Sequence, residues 1–428
     1  MLTEIRVISD EFGRIKEHSK LEAYFMVIWL LGPLFFLVER SPADLWIITI
    51  GLAFLVRCAV NGDWKWVAHF WPKSVFCFWL AMFLSALFSP IPIEAAIEAF
   101  IWIRFPLLAF AFVFWLADYP ALVRLLLKMT GVGLGLMMAI LTAEIYVTYD
   151  HWSSNLAMSA RLSWPYGDPV SGNYLAKFGL VAAVWAAAGM SSAQLTTIVW
   201  SGLAAFLLLL FTVLTGERIN SLLVFCTLGL TLVWLNYQRT RILAVFLFAL
   251  ALMGLFAVTR SDFLVIKFTS SLFNGVFDVN NSGYVQLWKT GLEMFKTAPL
   301  TGTGAGMFRF LCEQTVYADS FIPRCDNHPH HYYIQVLAET GLFGFVTFII
   351  MVTSLIYVSW SNARYSSDLL KKSCFIVPLA LFFPLQSTAD IFGQWVNSMV
   401  WYAVSLSMAI SMAGERGNSP KNGWVKVS

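Results

Sequence analysis

Long apolar runs separated by short polar connections make up most of this chain. A helix rises about 1.5 Å per residue, so a run of about 18 apolar residues crosses the roughly 30 Å of hydrocarbon in a bilayer. A transmembrane β-barrel would instead show short segments of alternating apolar and polar residues, and these runs do not alternate. The pattern therefore predicts an all-α, polytopic integral membrane protein with about 12 transmembrane helices, at 22–39, 43–61, 74–90, 98–117, 121–148, 173–190, 196–215, 219–237, 240–258, 331–361, 374–388 and 394–413.

The composition excludes an ordinary soluble protein. Hydrophobic residues make up 59% of the chain and charged residues 12%, whereas charged residues make up about 25% of a soluble domain. Residues 1–20 are polar and of mixed charge, and they lack the apolar core of a cleavable signal peptide. The first helix is therefore expected to remain as a membrane anchor.

One long polar segment, 259–330, divides the apolar helices into two groups. Transmembrane helices 1–9 occupy residues 1–258, transmembrane helices 10–12 occupy residues 331–413, and a polar tail follows at 414–428. The predicted organisation is therefore two groups of helices with a single long loop between spans 9 and 10.

The distribution of Lys and Arg predicts the orientation of the helices. With both termini in the cytoplasm, most of the 28 Lys and Arg lie on the cytoplasmic side, and the outer connections 91–97 and 389–393 contain none. Positive charge is enriched in the cytoplasmic loops of membrane proteins. The long loop 259–330, the connection 149–172 and the turn at Gly216 are therefore expected to share the extracytoplasmic face.

The long loop ends in Asp326-Asn-His-Pro-His-His-Tyr-Tyr, which holds half of the six histidines. The three imidazoles and Asp326 are a candidate metal site, but three histidines so close in sequence do not easily converge on one ion. A general base fits better, because imidazole titrates near neutral pH and can take a proton from a hydroxyl. The structural alternative is that histidines at this position cap the start of the next helix.

Glu339 is an acidic residue inside the predicted tenth span. It lies eight residues after His331 and four after Gln335, so the three side chains share one face of a helix. A carboxylate two turns into a span is costly unless it is paired or faces a water-filled cavity. We therefore predict that Glu339 orients the histidine segment or a buried arginine.

Arginines are concentrated on the predicted outer face. Arg218 lies between two spans, where it either pairs with Glu217 alone or binds an anionic headgroup, because guanidinium matches phosphate oxygens with two parallel hydrogen bonds. A cationic pocket on this face suits a diphosphate lipid carrier. Further candidates for the same role are Arg161, Arg260, Arg309 and Arg324.

Two of the six cysteines, Cys312 and Cys325, lie in the long loop on the side where thiols are oxidised. We expect them to form a disulfide, which in the chain-entropy model stabilises a loop of this size by about 3 kcal/mol. The bond would hold the histidine segment near the glycine-rich stretch 299–308. That stretch lacks the Lys-Ser/Thr of a nucleotide-binding loop, so a tight turn is predicted there.

Three motifs carry a resemblance to a known family. The first is Arg218-Ile-Asn-Ser-Leu222, and the second is Leu287-Trp-Lys-Thr-Gly-Leu-Glu-Met-Phe-Lys-Thr-Ala-Pro-Leu-Thr-Gly-Thr-Gly-Ala-Gly-Met-Phe308. The third is His328-Pro-His-His-Tyr-Tyr-Ile-Gln-Val-Leu-Ala-Glu-Thr-Gly-Leu-Phe-Gly344. Together they resemble the O-antigen ligase and polymerase superfamily, in which an arginine opens a span, an amphipathic helix precedes a proline–glycine turn, and a glycine pair follows a histidine.

The resemblance implies roles for particular residues. It makes His330 the candidate catalytic base and Arg218 a contact to the diphosphate of an undecaprenyl-linked glycan. The chain departs from the family at two positions. His331 stands where the family usually has Asn, Ser or Gln, so which imidazole acts is open. Tyr284 stands where the family often has an arginine, so a second phosphate-binding arginine has to come from elsewhere or is missing.

The function implied by the resemblance is that of an O-antigen ligase in a bacterial inner membrane. Such an enzyme transfers a glycan from undecaprenyl diphosphate to lipid A–core on the periplasmic face, with inversion and without a metal or cofactor. The expected partners are these two lipid-linked substrates and membrane lipids, with no nucleic acid. The alternatives are a polysaccharide polymerase of the same superfamily and, in a different class, a transporter or flippase of a lipid-linked sugar.

Overall fold

The computed structural model describes residues 2–18, 20–147, 162–167, 170–236, 283–313, 324–384 and 389–414. These residues form helices and turns, and the described ranges contain no strand, which confirms the all-α prediction. Arg161, Arg260 and the predicted ninth span lie outside the described residues, as does nearly all of the tail.

Eight α-helices lie in the first third of the chain, and prolines explain where two of the predicted spans are divided. Pro33 lies in the first turn of the third helix, where its missing N–H costs nothing, so the span predicted at 22–39 is two helices. Pro106 cannot donate to the carbonyl of Trp102, which is where the sixth helix ends. The helices are α1 (Leu2–His18), α2 (Lys20–Leu30), α3 (Gly32–Val38), α4 (Arg40–Asn61), α5 (Phe70–Leu87), α6 (Pro92–Trp102), α7 (Arg104–Phe114) and α8 (Pro120–Val147).

The remaining helices include one π-helical stretch, Tyr174–Phe178, which leads into the ninth labelled helix. The helices are α9 (Leu180–Met190), α10 (Leu195–Leu214), α11 (Arg218–Asn236), α12 (Gly283–Thr297), α13 (Phe308–Leu311), α14 (Tyr332–Ala363), α15 (Leu369–Ser373), α16 (Ile376–Leu381) and α17 (Trp395–Met412).

Seven stretches of the described chain are long and apolar enough to cross a membrane. They correspond to the second, third, fourth, fifth, seventh, eighth and tenth predicted spans. The count of twelve spans stays a prediction, and so does the position of the long loop between spans 9 and 10. The seven stretches are Arg40–Asn61, Phe70–Leu87, Pro92–Asp118, Pro120–Val147, Leu195–Leu214, Arg218–Leu235 and Tyr332–Ala363.

Helix α17 lies at the centre of the bundle. Every residue from Asn397 to Met412 is buried, as expected for a helix surrounded by other helices. It packs against α7 and α14, and the ring of Tyr402 stacks on Phe178 with centroids 4.4 Å apart. Helix α14 packs along α5. The N-terminal end of α14, which follows the histidine segment, is thereby held against a rigid core.

Candidate active site

His331 is the N-cap of α14. Its Nδ1 accepts a hydrogen bond from the backbone N–H of Ile334 at 3.3 Å, and the imidazole also hydrogen-bonds the backbone of Pro384. Burial lowers the pKa of His331, because the charged imidazolium loses contact with water, and this favours the neutral ring. The helix-capping role considered from sequence is therefore the one His331 has in the structure.

His330 has a left-handed backbone conformation, with φ at 56°. Histidine is one of the few residues besides glycine that adopts this conformation with some frequency. Its Nε2 lies 3.5 Å from Oδ2 of Asp326, and its side chain keeps 28% of its surface exposed. An imidazole that reaches solvent beside a carboxylate can accept a proton and be stabilised as the cation.

Helix α12 provides an aromatic wall beside the two histidines. The ring of Tyr284 meets the His330 ring edge-to-face at 5.3 Å, and the ring of Trp288 meets the His331 ring in the same way at 5.3 Å. The two aromatic residues are four apart, so they share one face of α12. Gly291 permits close approach, because a Cβ there would lie 2.7 Å from Cγ2 of Ile334. The wall restricts the positions available to both imidazoles.

Glu339 is completely buried and holds the glycine-rich turn. Its Oε2 accepts from the backbone N–H of Gly306 at 2.6 Å, and its Oε1 accepts from the N–H of Phe308 at 2.9 Å. Two charge-assisted hydrogen bonds offset the cost of burying the carboxylate. The prediction from sequence had this carboxylate orient a histidine or a buried arginine. The structure instead places both of its oxygens on backbone amides of the turn that precedes α13.

The same turn meets a break in α14 at Gly341, where φ is 62° and ψ is −166°. The break leaves backbone groups of α14 without hydrogen-bond partners within the helix, and the turn provides those partners. The N–H of Gly304 donates to the Glu339 carbonyl at 2.8 Å, and the N–H of Leu342 donates to the Pro299 carbonyl at 2.9 Å. A side chain at Gly341 would overlap the carbonyl of Leu300. The turn and the kink are therefore one interlocked unit, and the tight turn predicted from sequence is present.

Two of the predicted anion-binding arginines lie near this unit but in different surroundings. Nη2 of Arg309 lies 2.5 Å from Oε1 of Glu98 on α6, so the charge of Arg309 is used in an ion pair. Nη1 of Arg324 lies 3.4 Å from Oε1 of Gln286, a neutral residue in the first turn of α12. The structure thus brings Arg324, but not Arg309, to the helix whose aromatic face covers the histidines.

Arg218 begins α11 in a region rich in polar contacts. The buried Nζ of Lys177, in the π-helical stretch, donates to Oδ1 of Asn173 at 2.7 Å, and the amide of Asn220 donates to Asn173 at 3.2 Å and to Glu217. Helix α16 packs against both α11 and α14, and His331 contacts Pro384 beyond the end of α16. Arg218 and the histidine segment therefore belong to helices on two sides of α16.

The predicted disulfide between Cys312 and Cys325 is present, with their Cα atoms 5.8 Å apart. It joins the end of α13 to the segment that leads to the histidines. Across the described ranges, no three His, Cys, Asp or Glu side chains are grouped so that they could hold a metal ion.

Residues 203–349 match the family model described as O-antigen ligase. This segment of the chain is therefore similar to the O-antigen ligase family. The match covers about a third of the chain and includes all three motifs that carried the resemblance. No curated protein matches the chain. Members of the O-antigen ligase family are membrane-bound, glycosyltransferase-like enzymes that act on lipid-linked glycans.

Several neighbours of His330, within the segment that matches the family model, were not identified as site residues from sequence. Asp326 was considered only as a metal ligand, and Tyr284 only as a departure from the family pattern. The spacing of Tyr284 and Trp288 on an amphipathic helix was an available signal for an aromatic face. Glu98 gave no local signal, because it is 211 residues from Arg309 in sequence.

Proposed function

We propose that this protein is an O-antigen ligase that transfers a glycan from undecaprenyl diphosphate to lipid A–core. The observation that carries the proposal is the partly exposed imidazole of His330 beside Asp326, just before the start of α14, within a segment that matches the O-antigen ligase family. The site would face the periplasm, with both termini in the cytoplasm and the chain in the inner membrane.

In this proposal His330 is the general base. Its imidazole takes the proton from a hydroxyl of the acceptor sugar as that oxygen attacks the anomeric carbon of the donor glycan. The bond from the anomeric carbon to the diphosphate oxygen breaks on the opposite face, so the configuration inverts. Asp326, 3.5 Å from the imidazole, stabilises the imidazolium that forms.

Arginines would stabilise the leaving diphosphate. Negative charge builds on the diphosphate as the glycosidic bond breaks, and guanidinium groups already in place lower the energy of that state. Arg218 is the first of these arginines, because it opens a span in the position that the family resemblance assigns to a diphosphate contact. At least one of Arg161, Arg260, Arg309 and Arg324 would act with it.

The remaining site residues would hold the backbone around His330 in place and would not contact the substrates. Glu339 acts through the glycine-rich turn, which it anchors on α14 by the backbone amides of Gly306 and Phe308. His331 caps α14 and so sets the point at which the preceding turn projects His330. The long loop predicted from sequence would restrict water, so that the acceptor hydroxyl reacts in preference to hydrolysis.

The test uses purified protein in detergent with an undecaprenyl-diphosphate glycan, lipid A–core, EDTA and no nucleotide. A shift of lipid A–core to lower gel mobility, lost in Arg218→Ala and His330→Asn, is the expected result. Asn is the matched substitution at 330, because it also adopts the left-handed conformation but cannot act as a base. Lys296→Ala is the control, because this exposed lysine pairs only with Glu293 on its own helix among the ion pairs that the described residues form.

The alternatives give different products in the same assay. If the donor glycan lengthens while lipid A–core is unchanged, the protein is a polymerase of the same superfamily. If the donor binds and neither product forms, a transporter of lipid-linked sugar is the better interpretation. Arg104 and Lys177 are ionisable residues within predicted spans, and both are engaged in the fold, Arg104 with Asp44 at 2.8 Å and Lys177 with Asn173. This arrangement favours an enzyme over a charge pathway.

A further inference from the structure

Lys177 is a buried cation to which the proposed mechanism gives no role. The residue is 7% exposed and lies in the π-helical stretch Tyr174–Phe178, which packs against α11. Its Nζ donates to Oδ1 of Asn173 at 2.7 Å. A buried ammonium is costly unless its charge is paired, because it loses its hydration. The amide oxygen of Asn173 is neutral, so the opposite charge has to come from another residue.

That charge belongs to Glu217, in the turn between α10 and α11, whose carboxylate stabilises the Lys177 ammonium electrostatically. Two amides connect the charged groups. Nδ2 of Asn220, a residue that is 2% exposed, donates to Oε2 of Glu217 and also to Oδ1 of Asn173 at 3.2 Å. These side chains form the Lys177 network, which consists of Asn173, Lys177, Glu217 and Asn220.

The turn that carries Glu217 packs closely on the residues that precede the π-helical stretch. A Cβ at Gly172 would lie 2.7 Å from Oγ1 of Thr215 and 3.2 Å from Cδ of Glu217, so the glycine permits this approach. On the other side of the turn, Oγ of Ser221 donates to the Glu217 carbonyl at 3.0 Å. The carboxylate of Glu217 is therefore held in the Lys177 network by contacts on both sides of the turn.

Arg218 follows Glu217 directly and is the first residue of α11. Lys177 and Arg218 contribute two positive charges and Glu217 contributes one negative charge, so this end of α11 is net positive. Without Lys177, the charges of Glu217 and Arg218 would cancel, and the carboxylate would compete with any other anion for the guanidinium. Partly buried charges are screened less than exposed ones, so the loss of the Lys177 charge would be felt at Arg218.

We propose that Lys177 is a positioning residue of the donor site, which balances the Glu217 carboxylate and so keeps the Arg218 guanidinium available to an anionic lipid. The inference rests on the proposed function, in which Arg218 contacts the diphosphate of the donor. Lys177 acts through the Lys177 network and does not contact the substrate. The donor is thus recognised by the net charge of three residues, two of which do not bind it.

The first test measures binding, so that it does not depend on glycan transfer. Undecaprenyl diphosphate is titrated into the full-length protein in detergent, and its Kd is determined by microscale thermophoresis. Lys177→Met keeps the length of the side chain and removes its charge, so it is expected to raise this Kd about 10-fold. The Kd of undecaprenol, which has no diphosphate, should not change. An equal rise for both lipids would mean that the substitution only distorts the site, and the proposal would be wrong.

The second test restores the charge balance. Glu217→Gln alone removes the competing carboxylate and is expected to lower the Kd of undecaprenyl diphosphate. An unchanged or higher Kd in this variant would contradict the proposal, whether or not Lys177→Met folds.

The double variant Lys177→Met/Glu217→Gln is expected to bind undecaprenyl diphosphate within about 3-fold of the wild type, because the two effects on charge offset each other. Size-exclusion profiles establish that each variant is folded. If the double variant binds as weakly as Lys177→Met, the charge of Glu217 is not what Lys177 balances, and the proposal fails.

Arg104→Met is the matched control for the removal of a buried cation. Arg104 is also 7% exposed, and its Nε lies 2.8 Å from Oδ1 of Asp44 on α4, a helix that packs against α7. This substitution is expected to lower the melting temperature and to leave the Kd of undecaprenyl diphosphate unchanged. A rise in Kd as large as that of Lys177→Met would indicate a general effect of losing a buried cation and would exclude a specific role for Lys177.

The outcomes separate this inference from the proposed function. Equal binding of undecaprenyl diphosphate by the wild type and Lys177→Met, or no binding by either, would overturn the role of Lys177, while the gel assay still tests the ligase. If binding depends on Lys177 but the wild type transfers no glycan to lipid A–core, the proposed ligase function is wrong and the role of Lys177 in anion binding remains.

Discussion

The Oε2 atom of Glu339 accepts a hydrogen bond from the backbone N–H of Gly306 at 2.6 Å, although 33 residues separate them in sequence. The same carboxylate accepts from Phe308, and the carbonyl of Glu339 accepts from Oγ of Ser85 at 2.5 Å. One buried residue thus joins α5, the kink of α14 and the glycine-rich turn. The rigidity of the site depends on this junction, and the four predictions below test parts of it or of the adjacent histidine turn.

Replacing Glu339 by Ala should destabilise the protein by about 2 to 5 kcal/mol, because two buried backbone donors lose their acceptor. The free energy of unfolding is measured by SDS titration of the purified protein in mixed micelles. Thr347→Ala, on the same helix but partly exposed and bonded only to backbone carbonyls among its described hydrogen bonds, is the control and should cost less than 1 kcal/mol by comparison. Equal stability of the two variants would mean that Glu339 does not anchor the turn.

Replacing Gly341 by Ala should displace the glycine-rich turn from α14. The residue has φ of 62°, and a side chain there would overlap the carbonyl of Leu300, so both backbone strain and a steric clash result. The expected result is a lower melting temperature and loss of transfer activity.

Gly202→Ala in α10 is the matched control for this substitution. No atom lies within 4 Å of a Cβ placed at Gly202, and alanine favours a helix over glycine by about 1 kcal/mol. Its melting temperature should therefore be unchanged or higher. A melting temperature of Gly341→Ala equal to that of the wild type would contradict the interlocked arrangement of turn and kink.

His330 and His331 should respond in opposite ways to replacement by Asn. His331→Asn should keep most of the transfer activity, because Asn is among the best N-cap residues and can accept from the N–H of Ile334. His330→Asn should abolish transfer while leaving the protein folded, since the base is lost and the left-handed backbone is tolerated. The measurement is the initial rate of glycan transfer at saturating donor. Activity retained in His330→Asn and lost in His331→Asn would make His331 the base.

Acid should weaken the fold through His331. Burial holds the pKa of His331 in the folded protein below its usual value of about 6.5, so the unfolded chain takes up the proton more readily. The contribution of the neutral, capping imidazole is complete above about pH 6.5 and is lost as the pH falls through that value toward the lower folded pKa. Melting temperatures at pH 7.5 and pH 5 should therefore differ more for the wild type than for His331→Asn. A difference of the same size in both proteins would exclude this linkage.

Local signals predicted several elements of the fold well. The apolar runs at 43–61, 121–148 and 331–361 correspond to α4, α8 and α14 within a few residues. Prolines set the finer boundaries, such as the division of the first predicted span near Pro33. An apolar run predicts such a helix whether its side chains pack against lipid or against protein, because both environments require apolar residues.

Predictions about the site succeeded where the partners are close in sequence. The Cys312–Cys325 pair, 13 residues apart, and the tight glycine turn are both present. The sequence did not predict the partners of Glu339, because the donors that a buried carboxylate meets depend on which loop folds back onto it. The ion pair of Arg309 with Glu98 likewise joins two segments that are far apart in the sequence, and no local motif indicates that they meet.

By itself, the sequence determined that this chain is all-helical and membrane-spanning in character, with a segment that resembles the O-antigen ligase family and a histidine-rich turn before a long helix. These properties follow from hydrophobic periodicity and local motifs, which act over a few residues. Only the tertiary structure decided which histidine caps α14, which carboxylate lies beside the other histidine, and what Glu339 holds. Those assignments depend on contacts between α12, α14 and the glycine-rich turn, and contacts of this kind arise from packing of segments that are distant along the chain.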